Sequence, residues 1–259
     1  MSRFKIYDPP TRGPKSAGQA VGGRPGDALN AAGIVVCRLD STRLPGKVLR
    51  KVRDRPLLQW VVERARRVSG FDRGLIVATS DRKVDDPILD FCLSNNLPCF
   101  RGSAQDVAGR IRDCAREYEL DWFARVNADS PFVEPKLLDQ ACIQAKTGLY
   151  DLVTNLSPRS YPYGVSAELI RRSSFEVACR KMATAADREH VTRIYYQQPN
   201  RLEYRKYNIL HSEGDLSHVR LTVDTPEDWQ LFCRIAESEE GDLSYRSAIQ
   251  LLQPSREAA

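Results

Sequence analysis

The chain has 259 residues, 42% of them apolar and 28% charged, with a formal net charge of +5. Those proportions suit a globular protein of one large α/β domain or two small ones. No run approaches the ~18 apolar residues of a membrane span, and the N-terminus lacks a signal peptide's apolar core. Most of the seven cysteines lie within apolar segments and read as reduced core residues, so a cytoplasmic protein is expected. Residues 1–30 carry five of the fifteen Gly and four of the fifteen Pro, with few large apolar side chains. Such a segment buries too little surface to offset its ordering entropy, and a disordered extension is expected there. Its Arg3, Lys5, Arg12, Lys15 and Arg24 against Asp8 and Asp27 supply +3 of the +5. The remainder, 31–259, reads as one domain without a linker. With no RNA or DNA motif and no aromatics interleaved among its cations, nucleic acid is not an expected partner.

Gly33-Ile34-Val35-Val36-Cys37 reads as a buried strand. It enters a loop holding Arg38, Ser41, Thr42, Arg43 and Lys47 around a Pro-Gly turn. Pro56 to Val68 has apolar residues at helical spacing, and Gly74–Thr79 is a second apolar run. Asp85-Asp86-Pro87 caps a helix to about Asn96, and Leu97–Phe100 is a short strand. Gln105–Tyr118 is helical, Trp122–Asn127 a strand, a helix follows Glu134-Pro135, and Asp151–Asn155 is extended. After a turn at 160–168, helices are expected near 174–182 and 187–197. Strands are expected at 202–209 and 219–223, then a helix opened by Asp224-Thr225-Pro226. Strands alternating with helices over short connections predict an α/β fold, a mostly parallel central sheet with helices on both faces. None of the seven cysteines forms a C-x-x-C pair, and the three histidines lack zinc-site spacing.

Ligands in such sheets bind beyond the carboxyl ends of the strands, where the loops after Cys37 and Asn127 both emerge. Arginine forks and a lysine on one loop suit a polyphosphate, although the spacing is not that of a P-loop. A solvated basic turn is the plain alternative. Asp129 and Asp224 also stand at strand ends, where one or two carboxylates could hold Mg²⁺ against a triphosphate. Singly, Asp129 could make only an Asx turn and Asp224 only cap its helix.

Arg38-x-x-Ser41-Thr42-Arg43-Leu44-Pro45-Gly46-Lys47 resembles the nucleotide-binding motif of the CMP-sugar synthetases, in particular the spore-coat polysaccharide branch related to 3-deoxy-manno-octulosonate cytidylyltransferase. Four further segments match in order: Phe100–Ser103 with Asp106, Val107 and Arg110; Arg125–Pro131; Asp187–Thr192; and Arg220–Asp228. The resemblance covers roughly residues 31–235. It implies a glycosyltransferase-A-like nucleotidyltransferase fold and a reaction joining CTP to an acidic sugar, giving a CMP-sugar and pyrophosphate. By the same resemblance Arg38, Arg43 and Lys47 hold the triphosphate with Ser41. Asp129 and Asp224 bind Mg²⁺, and Arg101, Ser103 and Arg110 lie near the nucleotide. Tyr163, Glu168 and His190 face the acceptor, and a homodimer is implied. Val36-Cys37 before Arg38, and Ala128 before Asp129, depart from the family's usual Gln-Ala and Gly and bear on base choice. Another nucleotide, a phosphonate or sugar-phosphate acceptor, or a non-catalytic nucleotide-binding module are the alternatives. Cys37 and His190 have plain readings too, as a core thiol and as a histidine bridging two helices.

Overall fold

The computed structural model describes residues 28–238 and 243–252. The extension expected at 1–30 therefore lies outside the described residues, except for its last three. Strand β1 (Ala31–Val36) leads into the cationic loop and a 3-10 turn at Lys47–Leu49, followed by a hairpin of β2 (Lys51–Val52) and β3 (Arg55–Pro56). Next come α1 (Leu57–Ala65), β4 (Leu75–Ser80), α2 (Asp86–Ser94), β5 (Cys99–Gly102), α3 (Val107–Glu117), β6 (Trp122–Asn127) and α4 (Pro135–Lys146). Strands β7 (Leu152–Thr154) and β8 (Glu168–Arg171) precede α5 (Arg172–Lys181), α6 (Ala185–Glu189) and α7 (Arg193–Gln197). Strand β9 (Lys206–Asn208), α8 (Pro226–Ser238) and α9 (Tyr245–Leu252) complete the described chain.

Seven strands form one sheet in the order β5-β4-β1-β6-β8-β7-β9. Every neighbouring pair is parallel except the two made by β8, which runs against β6 and β7. The apolar runs of β1, β4 and β7 are continuous because these strands bury both faces. Ala31, Val35, Val77, Ala124 and Val126 join one core with residues of α1, α4 and α8. The alternate residues Ala32, Ile34, Ile76, Ala78 and Phe123 join a second core with α3 and α5. This is the three-layer arrangement expected from the alternation.

The chain steps from β1 to β4 and β5 on one side and to β6 on the other, so β1 is the topological switch point. Pairing of Val36 with Asn127 brings the carboxyl ends of β1 and β6 level. The loops after them open side by side.

Two expected elements differ. Residues 219–223 form no strand; Arg220 makes a single bridge to Tyr163. Their backbone is held by loops instead: Leu221 N–H donates to Tyr163 O at 2.7 Å and Val223 N–H to Asp129 O at 2.8 Å. The helix expected at 187–197 is split into α6 and α7, because His190 leaves helical geometry (φ −92°, ψ 34°).

Candidate active site

The loop after β1 is shaped by three anchors. Leu44 is buried as a plug beneath it. Gly46 adopts φ +68°, a left-handed turn that costs glycine nothing, and its N–H closes back onto Leu39 O at 3.0 Å. Leu39 N–H in turn donates to Asp85 Oδ1 at 2.7 Å. Asp85, fully buried, also accepts from the Ser80 hydroxyl and makes no side-chain cap for α2. Its sequence position predicts a helix cap; its carboxylate instead ties the basic loop to the end of β4.

Lys47 is the centre of the arrangement. The residue is 7% exposed, and its ammonium donates to Asp129 Oδ2 at 3.0 Å, Asp224 Oδ1 at 2.8 Å and Val223 O at 2.9 Å. All three ammonium hydrogens are thereby used. The α8 cap is made by Thr225 and Asp228, whose side chains exchange hydrogen bonds with each other's backbone N–H, so Asp224 is not needed as its cap. Asp224 also pairs with Arg43 (3.3 Å) and Arg220. Burial by itself would raise its carboxyl pKa, but the hydrogen bond and charge of Lys47, with Arg43 and Arg220, outweigh this and hold it below the ordinary range. Asp129 accepts only from Lys47 and the Ser130 hydroxyl (3.2 Å) among the described side-chain hydrogen bonds.

A cavity of about 400 Å³ opens over this cluster, lined by the loop, Arg110, Arg125, Asn127, Asp129, His190 and Asp224. Arg38 at its rim pairs with Asp40 (3.1 Å) and Glu189 (3.2 Å). Arg110 is 2% exposed and spans from α3 to donate to Ser103 O at 3.1 Å; its Nε has no partner among the described residues. Burial pushes its pKa down. A buried guanidinium with no carboxylate partner is costly unless an anionic or carbonyl ligand meets it. Val36, Cys37 and Ala128 also line this wall. Burial pushes the Cys37 thiol far up, which suits a packed core thiol and not a nucleophile.

Two expected nucleotide contacts stand elsewhere. Arg101 spends its guanidinium on Ser80 O (3.0 Å), Arg82 O (2.8 Å) and Asp86 (2.7 Å), bracing the end of β4. Ser103 accepts from Asp106 N–H at 3.0 Å, ahead of the α3 cap that Asp106 makes to Gly109 N–H. Neither residue lines the cavity.

A second cavity of about 470 Å³ adjoins the first and shares Arg125, Asn127 and His190 with it. Tyr163 lines it, with the Arg159 guanidinium 4.7 Å and the Arg220 guanidinium 5.1 Å from its ring centre. Gly164 (φ +105°) lets this segment lie against the 221–222 backbone, 2.9 Å from where a Cβ would sit. Thr222 Oγ1, buried on the cavity wall, has no hydrogen-bond partner among the described residues. His190 is exposed and lines both cavities, and no described hydrogen bond uses its ring. Between α6 and α7 it is the His190 backbone that makes the link, its N–H donating to Ala186 O at 2.9 Å and its carbonyl accepting from Arg193 N–H at 2.7 Å.

Glu168 does not face this space. It is 1% exposed and sits beneath Arg125, bound to its Nε and Nη2 at 2.7 Å each. An acidic side chain on an apolar strand is buried here only because a guanidinium meets it. Arg125, Asn127 and Arg159 are among the lining residues absent from the sequence-based site. An arginine inside Phe123-Ala124-Arg125-Val126 was the available signal.

Chemically, two carboxylates on separate loops reach one cation position, beside a cationic loop and next to an arginine-lined space. Among the described residues no third His, Cys, Asp or Glu joins them. Such a two-oxygen donor pair fits Mg²⁺, which keeps most of its shell for water and substrate phosphates.

The Bacillus subtilis spore coat polysaccharide biosynthesis protein SpsF is 30% identical over 235 residues, 87% of this chain and 95% of its own. A 3-deoxy-manno-octulosonate cytidylyltransferase of Acidobacterium capsulatum is 33% identical over 110 residues, covering 42% of this chain and 43% of that one. Among solved structures, a cytidylyltransferase from Leptospira borgpetersenii superposes with TM-score 0.78 at 27% identity, over 86% of this chain and 94% of that chain. The family model described as Cytidylyltransferase matches residues 32–253. The chain therefore belongs to the cytidylyltransferase family.

Proposed function

We propose that this chain activates an acidic sugar with CTP, releasing pyrophosphate. The observation that carries the reading is the meeting of Asp129 and Asp224 on one ammonium, at the floor of a cavity that adjoins an arginine-lined second one. In this reading Arg43 and Lys47, with Arg38 and Ser41, bind the triphosphate, and Asp129 and Asp224 hold Mg²⁺. The ion supplies charge neutralisation at the phosphates. The acceptor oxygen attacks the α-phosphorus in line; that P–O bond forms as the bridging P–O bond to the β-phosphate breaks, and the electron pair leaves on pyrophosphate. Cations at the triphosphate end lower the cost of that charge.

Arg110, buried and short of a partner, is assigned to the nucleotide. Tyr163, His190 and Arg159 are assigned to the acceptor, and the His190 imidazole to the proton of the attacking hydroxyl. Neither Arg159 nor Arg193 has a carboxylate partner among the described residues, which favours an acidic acceptor. Val36, Cys37 and Ala128 form the part of the wall where base choice would be altered. Thermal shifts with Mg²⁺ and each of CTP, GTP, UTP and TTP test that choice. A cytoplasmic homodimer belongs to the same reading and is checked by light scattering and fractionation.

Pyrophosphate release from CTP, measured across a panel of acidic sugars, is the direct test. The expected result is acceptor-dependent release that falls at least ~10³-fold in folded D129N. Undiminished release by folded D129N contradicts the reading. Tight CTP binding without turnover on any acceptor, sugar phosphates and phosphonates included, would instead mark a non-catalytic module.

A further inference from the structure

Arg125 stands between Ala124 and Val126 in a strand that otherwise buries apolar side chains. Its Nε and Nη2 are both spent on Glu168 Oε2. The other carboxylate oxygen accepts from the Tyr196 hydroxyl at 2.8 Å. The Tyr196 oxygen lies 2.9 Å from Thr154 Oγ1, which itself accepts from Leu156 N–H at 3.2 Å. Since Tyr196 gives its proton to the carboxylate, Thr154 donates to Tyr196, and every proton in the chain has one place. The chain ends at Arg125 Nη1, which has no partner among the described residues.

A buried ion pair is seldom worth more to stability than the apolar pair that could replace it. This one is pinned from the core side through Glu168, and its Arg125 lines both cavities. Where the two cavities join is where a group from each must react, so the α-phosphate is the one substrate anion required there by the chemistry. A planar guanidinium held along one edge presents its remaining N–H groups in a fixed fork, suited to phosphate oxygens.

We propose that Arg125 is a catalytic residue that binds the α-phosphate of the nucleotide, with Glu168 and Tyr196 as positioning residues that hold its guanidinium at the join of the two cavities. This rests on the nucleotide reading given above. Arg43 and Lys47, which line the same cavity, serve the distal phosphates.

CMP and cytidine differ only by that phosphate, so calorimetric titration with each, without metal, isolates the contact. The expected result is that R125Q weakens CMP binding at least tenfold and leaves cytidine within twofold. Y196F, which loosens the carboxylate without touching ligand, weakens CMP about threefold and leaves cytidine unchanged; a merely structural role would move both together. R125Q leaves Glu168 charged and buried. If that variant does not fold, R125Q/E168Q, neutral at both positions, carries the same comparison. CMP affinity within twofold of the unmodified chain in a folded variant overturns the assignment. So does an unmodified chain that binds CTP but holds CMP no better than cytidine, while leaving the nucleotide reading intact. An unmodified chain that does not bind CTP overturns that reading, and this assignment with it.

Discussion

The two halves of the cleft are built on opposite plans. In the half proposed for the nucleotide the loop charges neutralise one another: Lys47 with Asp129 and Asp224, Arg38 with Asp40 and Glu189, with buried Arg110 the exception. In the half proposed for the acceptor Glu168 is buried beneath Arg125, and Arg159 and Arg193 line the cavity without carboxylate partners among the described residues. The first half holds counter-charges for its loop cations, so a triphosphate and a cation must exchange with existing pairs. The second half offers uncompensated positive charge, which an anionic ligand meets directly.

The self-neutralised half is perturbed most by K47M, which leaves two adjacent carboxylates without their shared ammonium. We expect a loss of about 3 kcal/mol in stability by urea unfolding, and at least ~10³-fold in pyrophosphate release. Mg²⁺ should raise the melting temperature of K47M more than that of the unmodified chain, because a cation bound at the freed carboxylates stabilises the folded state. Equal Mg²⁺ shifts in both proteins would mean that Lys47 and the cation do not share those carboxylates.

R159Q acts on the other half. It should raise the acceptor KM about tenfold, ~1.4 kcal/mol, and leave the KM for CTP unchanged. A change in both constants would erase the distinction between the halves. R101Q probes bracing outside both, with an expected cost of about 1 kcal/mol in stability and CTP affinity unaltered within twofold.

The smallest effect is on pH dependence. Asp224 has its folded pKa below its unfolded value of about 3.9, so its stabilisation is present above that pH and lost as pH falls through the folded value. Unfolding midpoints between pH 2 and 6 should therefore fall more steeply below about pH 4 for the unmodified chain than for D224N. Parallel profiles would remove Asp224 from the ion cluster.

How far each half could be read in the sequence follows the same division. The nucleotide half uses contiguous stretches at strand ends, and the apolar runs of β1 and β6 announced where those ends lie. Arg38 to Lys47 and Asp129 could be picked out for that reason, and the structure gathers them around one cavity with Asp224, which follows no strand. The acceptor half is assembled from single positions: Arg125 and Glu168 are 43 residues apart and meet only because β8 runs antiparallel beside β6. Nothing local in the sequence signals that reversal, so Glu168 read as an acceptor contact and Arg125 went unassigned. Asp85 failed for a related reason. Beside Pro87 it has the local chemistry of a helix cap, whereas it binds Leu39 N–H in the basic loop and the Ser80 hydroxyl at the end of β4. Residues 219–223 have a strand's apolar alternation, yet lie across the loop ends and satisfy their backbone on Tyr163 and Asp129.

Calorimetric titration of CTP with and without Mg²⁺, on the unmodified chain and on D129N/D224N, tests the two-carboxylate site most directly. CTP should bind at least tenfold more tightly with Mg²⁺ than without, and that gain should vanish in the double variant. A gain from Mg²⁺ that survives loss of both carboxylates would contradict a metal site at Asp129 and Asp224.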